Sequence, residues 1–248
     1  MSSAGATPLL SALGLNRGVV SLVGGGGKTS LALCLIREAS SLGLRAVFTT
    51  TTQIYPPDFP LLIWPSLPEN LPDGASCVSL GLTPEGKLAG LLPEQVGQLA
   101  RRADLVVVEA DGSRGLPLKY PLAHEPVIPP CSDLVLAVAG VTVVHQPLSP
   151  QWVHRAEAAA AFLGAEPGQP ISPDQIAQIL WHPDGATRGR PQHCTVLPVI
   201  NQVDSPEGLA GGLAIARSLV QHGAPRVLLT NALWEKPVVA VVTGGKQA

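Results

Sequence analysis

The chain has 248 residues, of which 46% are hydrophobic and 14% charged, a balance that favours a buried core over a disordered polymer. The net charge of −2 argues against binding nucleic acid through phosphate neutralisation. No apolar run reaches about 18 residues and the first residues do not resemble a signal peptide, so we expect no membrane span. Four widely spaced cysteines lack zinc-site spacing and indicate free thiols in a reducing cytoplasm.

Apolar runs alternate with segments of helical period along the chain. In chain order the pattern predicts strand 19–23, helix 28–42, strand 45–50, an irregular proline-rich insertion at about 56–75, strand 76–82, helix 93–102, strands 104–109 and 133–139, helices 150–163 and 173–180, strand 196–200, helix 206–222, and strands 226–230 and 238–242. Continuous apolar strands separated by helices indicate a parallel sheet covered on both faces. We therefore expect a three-layer, doubly wound α/β fold of the P-loop NTPase type, formed by residues 1–248 as a single domain.

The first candidate site is a glycine-rich loop between the first predicted strand and helix. Its sequence is Gly24-Gly25-Gly26-Gly27-Lys28-Thr29-Ser30. Glycines let backbone amides approach an anion, and the helix N-terminus adds a favourable dipole. Lys28 would reach the terminal phosphates of a nucleotide and Thr29 would hold Mg²⁺. The standard P-loop has glycine where this chain has Leu22, so the loop is expected to be shorter or differently shaped. The alternative is a strand–helix turn without a ligand.

Acidic residues end the most apolar predicted strand. Glu109 and Asp111 begin the sequence Glu-Ala-Asp-Gly, where ligands of a parallel sheet are expected. Glu109 would orient Mg²⁺, Asp111 would orient water or substrate, and the Gly112 amide would meet a γ-phosphate. The spacing resembles the D-x-x-G element of GTPases with Glu in place of Asp. A solvated turn is the alternative.

A third motif, Asn201-Gln202-Val203-Asp204, follows the predicted strand 196–200. It resembles the N-[K/Q]-x-D motif with which GTPases read guanine, because a carboxylate accepts hydrogen bonds from the guanine edge. Residues 230–232 follow the next strand, where such proteins place a backbone contact to the base. The motif favours guanine over adenine only modestly, and a simple turn is the alternative.

Further polar residues are candidates for binding a substrate. They are Thr50, Thr51 and Thr52 after the second strand, Arg114, Lys119, His124 and Glu125 in the stiff loop 111–130, and His154 and Arg155 in the predicted helix 150–163. Arg114 is also the candidate for an arginine finger supplied by the same chain. Capping hydroxyls, a loop histidine and exposed helix positions are the alternative interpretations.

Together these segments resemble one family. The stretches VVSLVGGGGKTSLALCLIREASSLGLRAVFTTTTQIYPP, VVVEADGSRGLPLKYPLAHEPVIPPCSDLVLAVAG, HQPLSPQWVHRAE and VLPVINQVD are similar to the YqeC-type selenium-dependent hydroxylase accessory proteins. The resemblance implies nucleotide binding in the maturation of a selenium or molybdenum cofactor. It also implies a molybdenum hydroxylase or a molybdenum-cofactor cytidylyltransferase as partner. Gln53 stands where the resemblance implies lysine, so no charge contact to phosphate is expected there.

The leading hypothesis is a GTP- or ATP-binding accessory protein with NTPase activity and Mg²⁺ as cofactor. Lys28, Glu109, Asp111 and Arg114 are its candidate catalytic residues, and Thr29 with Glu109 would hold the metal. One alternative is a small-molecule kinase or transferase that acts on a cofactor precursor. Another is a non-enzymatic, nucleotide-responsive scaffold for a maturation complex. Turnover that depends on an acceptor would distinguish the first alternative from an NTPase.

Overall fold

A computed structural model describes residues 7–244, so residues 1–6 and 245–248 of the predicted single domain lie outside the described part. The strands are β1 (Gly18–Gly24), β2 (Ala46–Thr50), β3 (Gln53–Ile54), β4 (Leu61–Ile63), β5 (Ala75–Ser79), β6 (Leu88–Ala89), β7 (Leu105–Glu109), β8 (Leu118–Lys119), β9 (Leu134–Gly140), β10 (Val153–His154), β11 (Thr195–Asn201), β12 (Arg226–Thr230) and β13 (Val238–Thr243). The helices are α1 (Leu9–Leu13), α2 (Lys28–Ser41), α3 (Pro93–Ala100), α4 (Ala156–Leu163), α5 (Pro173–Trp181) and α6 (Pro206–Gln221), with a 3-10 turn at Val141–Val143. Among the helices of residues 7–244, none combines the length and the apolar character that crossing a membrane requires.

Within the described residues, nine strands form one sheet in the order β13-β12-β11-β9-β1-β7-β2-β5-β4. Neighbouring strands are parallel except β12 and β13, so the predicted mostly parallel sheet is confirmed. In the β1–β7 register Leu22 lies beside Glu109. The acid that ends β7 therefore lies next to the glycine loop that follows β1. Two short ribbons, β8–β10 and β3–β6, form separate two-stranded sheets.

Side chains alternate between the two faces of the sheet and bury an apolar layer on each. In β9, Leu136 and Val138 pack with helices α1 and α2, while Val135 and Ala137 pack in the cluster of α4, α5 and α6. Helix α3 covers the second face of β7 and β2. Strands buried on both faces explain the long apolar runs of the sequence. The helices on both sides agree with the expected doubly wound arrangement.

Two predicted elements differ from the structure. The predicted helix 150–163 begins only at Ala156, because Val153–His154 forms strand β10 and Arg155 adopts a left-handed φ of 69°. The placement of His154 and Arg155 on a helix was therefore wrong. The insertion at about 56–75, predicted as irregular, contains the edge strand β4. An edge strand tolerates flanking prolines because only one side of it must supply ladder hydrogen bonds.

All four cysteines are free thiols, as the sequence predicted. Cys77 and Cys194 are buried, and burial raises the pKa of the Cys194 thiol to about 11. Burial also raises the pKa of Cys77, to about 12. These thiols stay protonated at neutral pH, which disfavours them as nucleophiles.

Helix α1 is attached to α2 through one carboxylate. Glu38 accepts hydrogen bonds from the backbone amides of Leu9 and Leu10 at 2.9 and 2.6 Å. These are two of the amides that a helix leaves unpaired at its N-terminus. Glu38 thereby fixes a helix too short to be stable alone.

Replacing Glu38 with glutamine is expected to lower the free energy of unfolding by about 1–3 kcal/mol, because a charged acceptor of two amides becomes a neutral acceptor of one. Urea denaturation at pH 7 measures the change. Glu166→Gln, at an exposed loop position, is the matched control and should change stability by less than about 0.5 kcal/mol. Equal stabilities for the two variants would contradict the capping role.

Candidate functional site

The glycine loop, residues 24–27, connects β1 to α2 through unusual backbone angles. Gly24, Gly26 and Gly27 have φ values of 94°, 72° and 97°. A Cβ atom on Gly26 would lie 1.9 Å from the backbone nitrogen of Gly140. Both the angles and the close approach to the end of β9 therefore require glycine here.

The backbone amides of this loop differ in whether they are available to bind a ligand. Gly25 N donates to Val138 O at 2.9 Å and Gly26 N donates to Leu116 O at 3.0 Å, so the protein itself uses these two donors. Among the described residues, no side chain caps the N-terminus of α2. Its first-turn amides, from Lys28 onward, remain directed at the site. An anion is therefore expected to bind the start of α2 rather than the whole loop. This is consistent with the departure of the loop sequence from the standard P-loop pattern.

Thr29 and Glu109 form an oxygen-rich pair at the start of α2. Thr29 Oγ1 donates to Glu109 Oε2 at 2.7 Å, and Glu109 Oε1 lies 3.8 Å from Lys28 Nζ. Burial raises the pKa of Glu109, and the Lys28 ammonium and the Thr29 hydrogen bond oppose that shift. Within residues 7–244, no group of three or more His, Cys, Asp or Glu side chains is arranged to hold a metal. The pair fits Mg²⁺ that also takes phosphate and water oxygens, which is how this ion usually binds.

Asp111 joins two buried lysines. Its Oδ1 lies 3.0 Å from Lys28 Nζ and its Oδ2 lies 3.4 Å from Lys119 Nζ, while Lys119 Nζ also lies 3.2 Å from Glu125 Oε2. The Lys28, Asp111 and Lys119 side chains are 1%, 1% and 0% exposed. Gly24 N donates to Asp111 Oδ2 at 3.0 Å and Lys28 Nζ donates to Gly24 O at 2.7 Å. We call these three side chains with Glu125 the two-lysine cluster.

The cluster sets the charge state of its neighbours. Burial alone would raise the pKa of Glu125, but the Leu122 amide and the Lys119 ammonium lower it overall. His154 lies beside Lys119 in the β8–β10 register. Burial lowers the pKa of His154, and the charges of nearby arginines and Lys119 lower it further. A neutral imidazole therefore adjoins a charged carboxylate at neutral pH.

A cavity of about 710 Å³ brings many of the predicted residues together. The predicted residues that line it are Gly27, Lys28, Thr29, Thr52, Glu109, Gly112, Arg114, Glu125 and His154. Gln53, which the sequence marked only as a departure from the family resemblance, also lines it. Three further polar side chains in the lining were not predicted: Tyr55, Lys87 and Ser113. Tyr55 and Lys87 flank the short β3–β6 ribbon, whose two-residue strands leave no periodic signal in the sequence, and Ser113 lies in the loop after β7.

The chain also matches known proteins. The family model described as YqeC protein matches residues 20–157. An Escherichia coli (strain K12) protein named "Uncharacterized protein YqeC" is 33% identical over 234 residues, which cover 90% of each chain. The chain belongs to the YqeC family. No solved structure matches it.

The YqeC match covers the glycine loop, Glu109 and the two-lysine cluster. Other candidate residues within residues 20–157 do not line the cavity. Thr50 Oγ1 donates to Glu109 O at 2.7 Å and Thr51 Oγ1 donates to Val127 O at 2.8 Å, so both hydroxyls tie loops together. His124 and Arg155 are exposed.

The predicted base-reading residues lie beyond residues 20–157, which the family model matches, and follow strands on the other side of β1. Asn201 Nδ2 donates to Gly26 O at 2.8 Å, and Asn201 Oδ1 accepts from Thr230 Oγ1 and Ala232 N. This amide connects the glycine loop to the segment after β12. Asp204 is exposed and lines a separate cavity of about 620 Å³.

Proposed function

We propose that this protein is a P-loop nucleotide-binding protein that holds GTP or ATP with Mg²⁺ at the start of α2. We further propose that it hydrolyses the nucleotide as a cytoplasmic accessory factor in the maturation of selenium-dependent molybdenum hydroxylases. One observation carries the nucleotide proposal. Thr29 Oγ1 and Glu109 Oε2 lie 2.7 Å apart at an uncapped helix N-terminus, beside a lysine that follows a glycine loop.

The charges of the site support a triphosphate as ligand. Lys28 is held by Asp111 and by the Gly24 carbonyl at 3.0 and 2.7 Å. A terminal phosphate would compete with Asp111 for this ammonium, and Lys119 would remain as the partner of Asp111. The helix amides and Mg²⁺ on Thr29 and Glu109 would bind the other phosphate oxygens. Catalysis in such sites is mostly positioning and charge stabilisation.

The remaining residues have proposed roles in this reaction. Asp111, two residues after the end of β7 and 3.0 Å from Lys28 Nζ, would orient water or substrate once Lys28 turns to the phosphate. Arg114 lines the cavity and would stabilise charge on the transferred group. Asn201 and Asp204 would contact the base from the β11 side, with Asn201 positioned by its hydrogen bond to the glycine loop.

The resemblance to YqeC-type accessory proteins supports the role in hydroxylase maturation. A molybdenum hydroxylase or a molybdenum-cofactor cytidylyltransferase is the proposed partner. The size of the cavity, about 710 Å³, favours a second candidate function as a small-molecule kinase or transferase, because water attack alone needs no such space.

Calorimetric titration with GTP, ATP and CTP, each with Mg²⁺ or with EDTA, tests the proposal. We expect a purine triphosphate to bind with Mg²⁺, and Lys28→Met to weaken binding roughly 10–100-fold because a charged hydrogen-bond donor is lost. Arg217→Met, at an exposed position of α6, is the control and should leave affinity unchanged. Thermal unfolding shows whether each variant is folded.

Each outcome of the titrations tests a different part of the proposed function. Preference for ATP over GTP would overturn the guanine interpretation and keep the phosphate site. Failure of all three nucleotides to bind would overturn the proposed function. Binding without hydrolysis, even with small acceptors present, would favour the scaffold over the enzyme.

A further inference from the structure

The cavity extends away from the side where a nucleotide base would lie. The base-reading candidates follow β11 and β12, on one side of β1 in the sheet order. The cavity is lined by residues that follow β2 and β7, on the opposite side of β1. Among the described residues, none after β11 or β12 lines it. A nucleotide with its phosphates at the start of α2 would therefore leave the far part of the cavity open.

Two cations that line the cavity, Lys87 and Arg114, have no carboxylate within salt-bridge distance among the described residues. By contrast, the buried Lys119 is paired with both Asp111 and Glu125. The chain as a whole carries a net charge of −2, so unpaired positive charge here is a local feature. Such charge favours an anionic occupant.

The backbone holds one of these cations in a costly conformation. Arg114 has a φ of 54°, in the left-handed region that non-glycine residues rarely adopt. Residues held in this way cost about 1–3 kcal/mol and cluster at ligand-binding sites. Arg114 directly follows Gly112 and Ser113, and all three residues line the cavity.

The other walls indicate that the occupant is organic. Tyr55 lines the cavity and is 70% exposed, and the Lys87 ammonium lies 5.3 Å from the centre of its ring. Ile54 adds an apolar contact. His154 offers one hydrogen-bond donor or acceptor as a neutral imidazole. An apolar wall beside two cations matches a carbon skeleton that bears an oxyanion.

We propose that Arg114, Lys87 and Tyr55 form a binding site for a second substrate, a small organic anion that bears a phosphate or a carboxylate. The proposal rests on the proposed function, since it places this anion opposite the base and beyond the terminal phosphate of the bound nucleotide. On this proposal the protein binds two substrates and is not a simple nucleotide switch.

Calorimetric titration tests this site in protein saturated with Mg²⁺ and a β,γ-imido analogue of the nucleoside triphosphate. Because the analogue occupies the start of α2, an added anion must bind elsewhere in the cavity. The probes are phenyl phosphate, benzoate and the neutral phenol. We expect an anionic probe to bind at one site and phenol not to bind, and the better anion identifies the phosphate or the carboxylate as the preferred group. Lys87→Gln and Arg114→Gln should each weaken the anion roughly tenfold or more, as loss of one charged contact predicts.

The controls separate the two proposals. Arg217→Gln should leave anion affinity unchanged, and Lys87→Gln should leave affinity for the triphosphate analogue unchanged. The second site is overturned if the analogue binds but neither anion does. It is also overturned if replacing Lys87 and Arg114 leaves the affinity for the anions unchanged. In both cases the nucleotide site stands. If no nucleotide binds but the anions bind to the free protein with dependence on Lys87 and Arg114, the proposed function fails and the anion site survives.

Discussion

Asp111→Asn is expected to destabilise the protein by about 3–5 kcal/mol, because it removes the negative charge shared by two buried ammonium groups. Lys28 would keep the Gly24 carbonyl but only one carboxylate, Glu109 at 3.8 Å, and Lys119 would keep only the carboxylate of Glu125. Both lysine side chains are almost completely buried, so water does not replace the lost partner. For a chain of this size the melting temperature should fall by roughly 6–20 °C.

Chemical denaturation and thermal unfolding at pH 7 measure this change. Asp73→Asn is the matched control, because the Asp73 side chain is 92% exposed and its carboxylate lies 3.6 Å from Arg45. We expect the control to change stability by less than about 1 kcal/mol. A loss equally small in Asp111→Asn would mean that solvent reaches the lysines in the native state.

A double-mutant cycle tests whether the charges act as a unit. Lys119→Met removes one of the two ammonium groups that Asp111 serves. Asp111→Asn combined with Lys119→Met should therefore cost less than the two single changes added together, by about 0.5–3 kcal/mol. Strict additivity would contradict the direct pairing of Lys119 with Asp111.

The sheet could be predicted because its strands carry a strong signal. Strands such as β7 and β9 are buried on both faces, so they appear in the sequence as unbroken apolar runs between helical segments. The glycine loop after β1 and Glu109 at the end of β7 were placed correctly relative to each other for the same reason. Parallel strands end at one edge of a sheet, so motifs that end neighbouring strands meet there.

The surroundings of the site could not be predicted, because they depend on contacts that local pattern does not encode. Strands β8 and β10 have two residues each, yet their pairing brings His154 beside Lys119. The alanine run of α4 favours a helix, but its start depends on Arg155 adopting a left-handed conformation. The hydrogen bond from Asn201 to the glycine loop likewise joins residues 175 positions apart. Such contacts follow from tertiary packing.

Glu109→Gln should separate function from stability, in contrast to Asp111→Asn. Burial already disfavours the ionised carboxylate of Glu109. The amide keeps the shape of the side chain and an oxygen that can accept from Thr29, and Lys28 retains Asp111 as its close partner. We therefore expect the free energy of unfolding at pH 7 to change by no more than about 1 kcal/mol.

Binding of a nucleoside triphosphate should respond differently, because an amide oxygen is a much weaker Mg²⁺ ligand than a carboxylate. The gain in affinity that Mg²⁺ gives over EDTA should fall by about tenfold or more in Glu109→Gln, as loss of groups at metal sites commonly does. Glu125→Gln is the matched control, since it removes the other carboxylate of the cavity and should leave the Mg²⁺ effect unchanged. An undiminished Mg²⁺ effect in Glu109→Gln would exclude Glu109 as the magnesium ligand. A large loss of stability in Glu109→Gln would instead mean that the Glu109 carboxylate stabilises the fold, as that of Asp111 does.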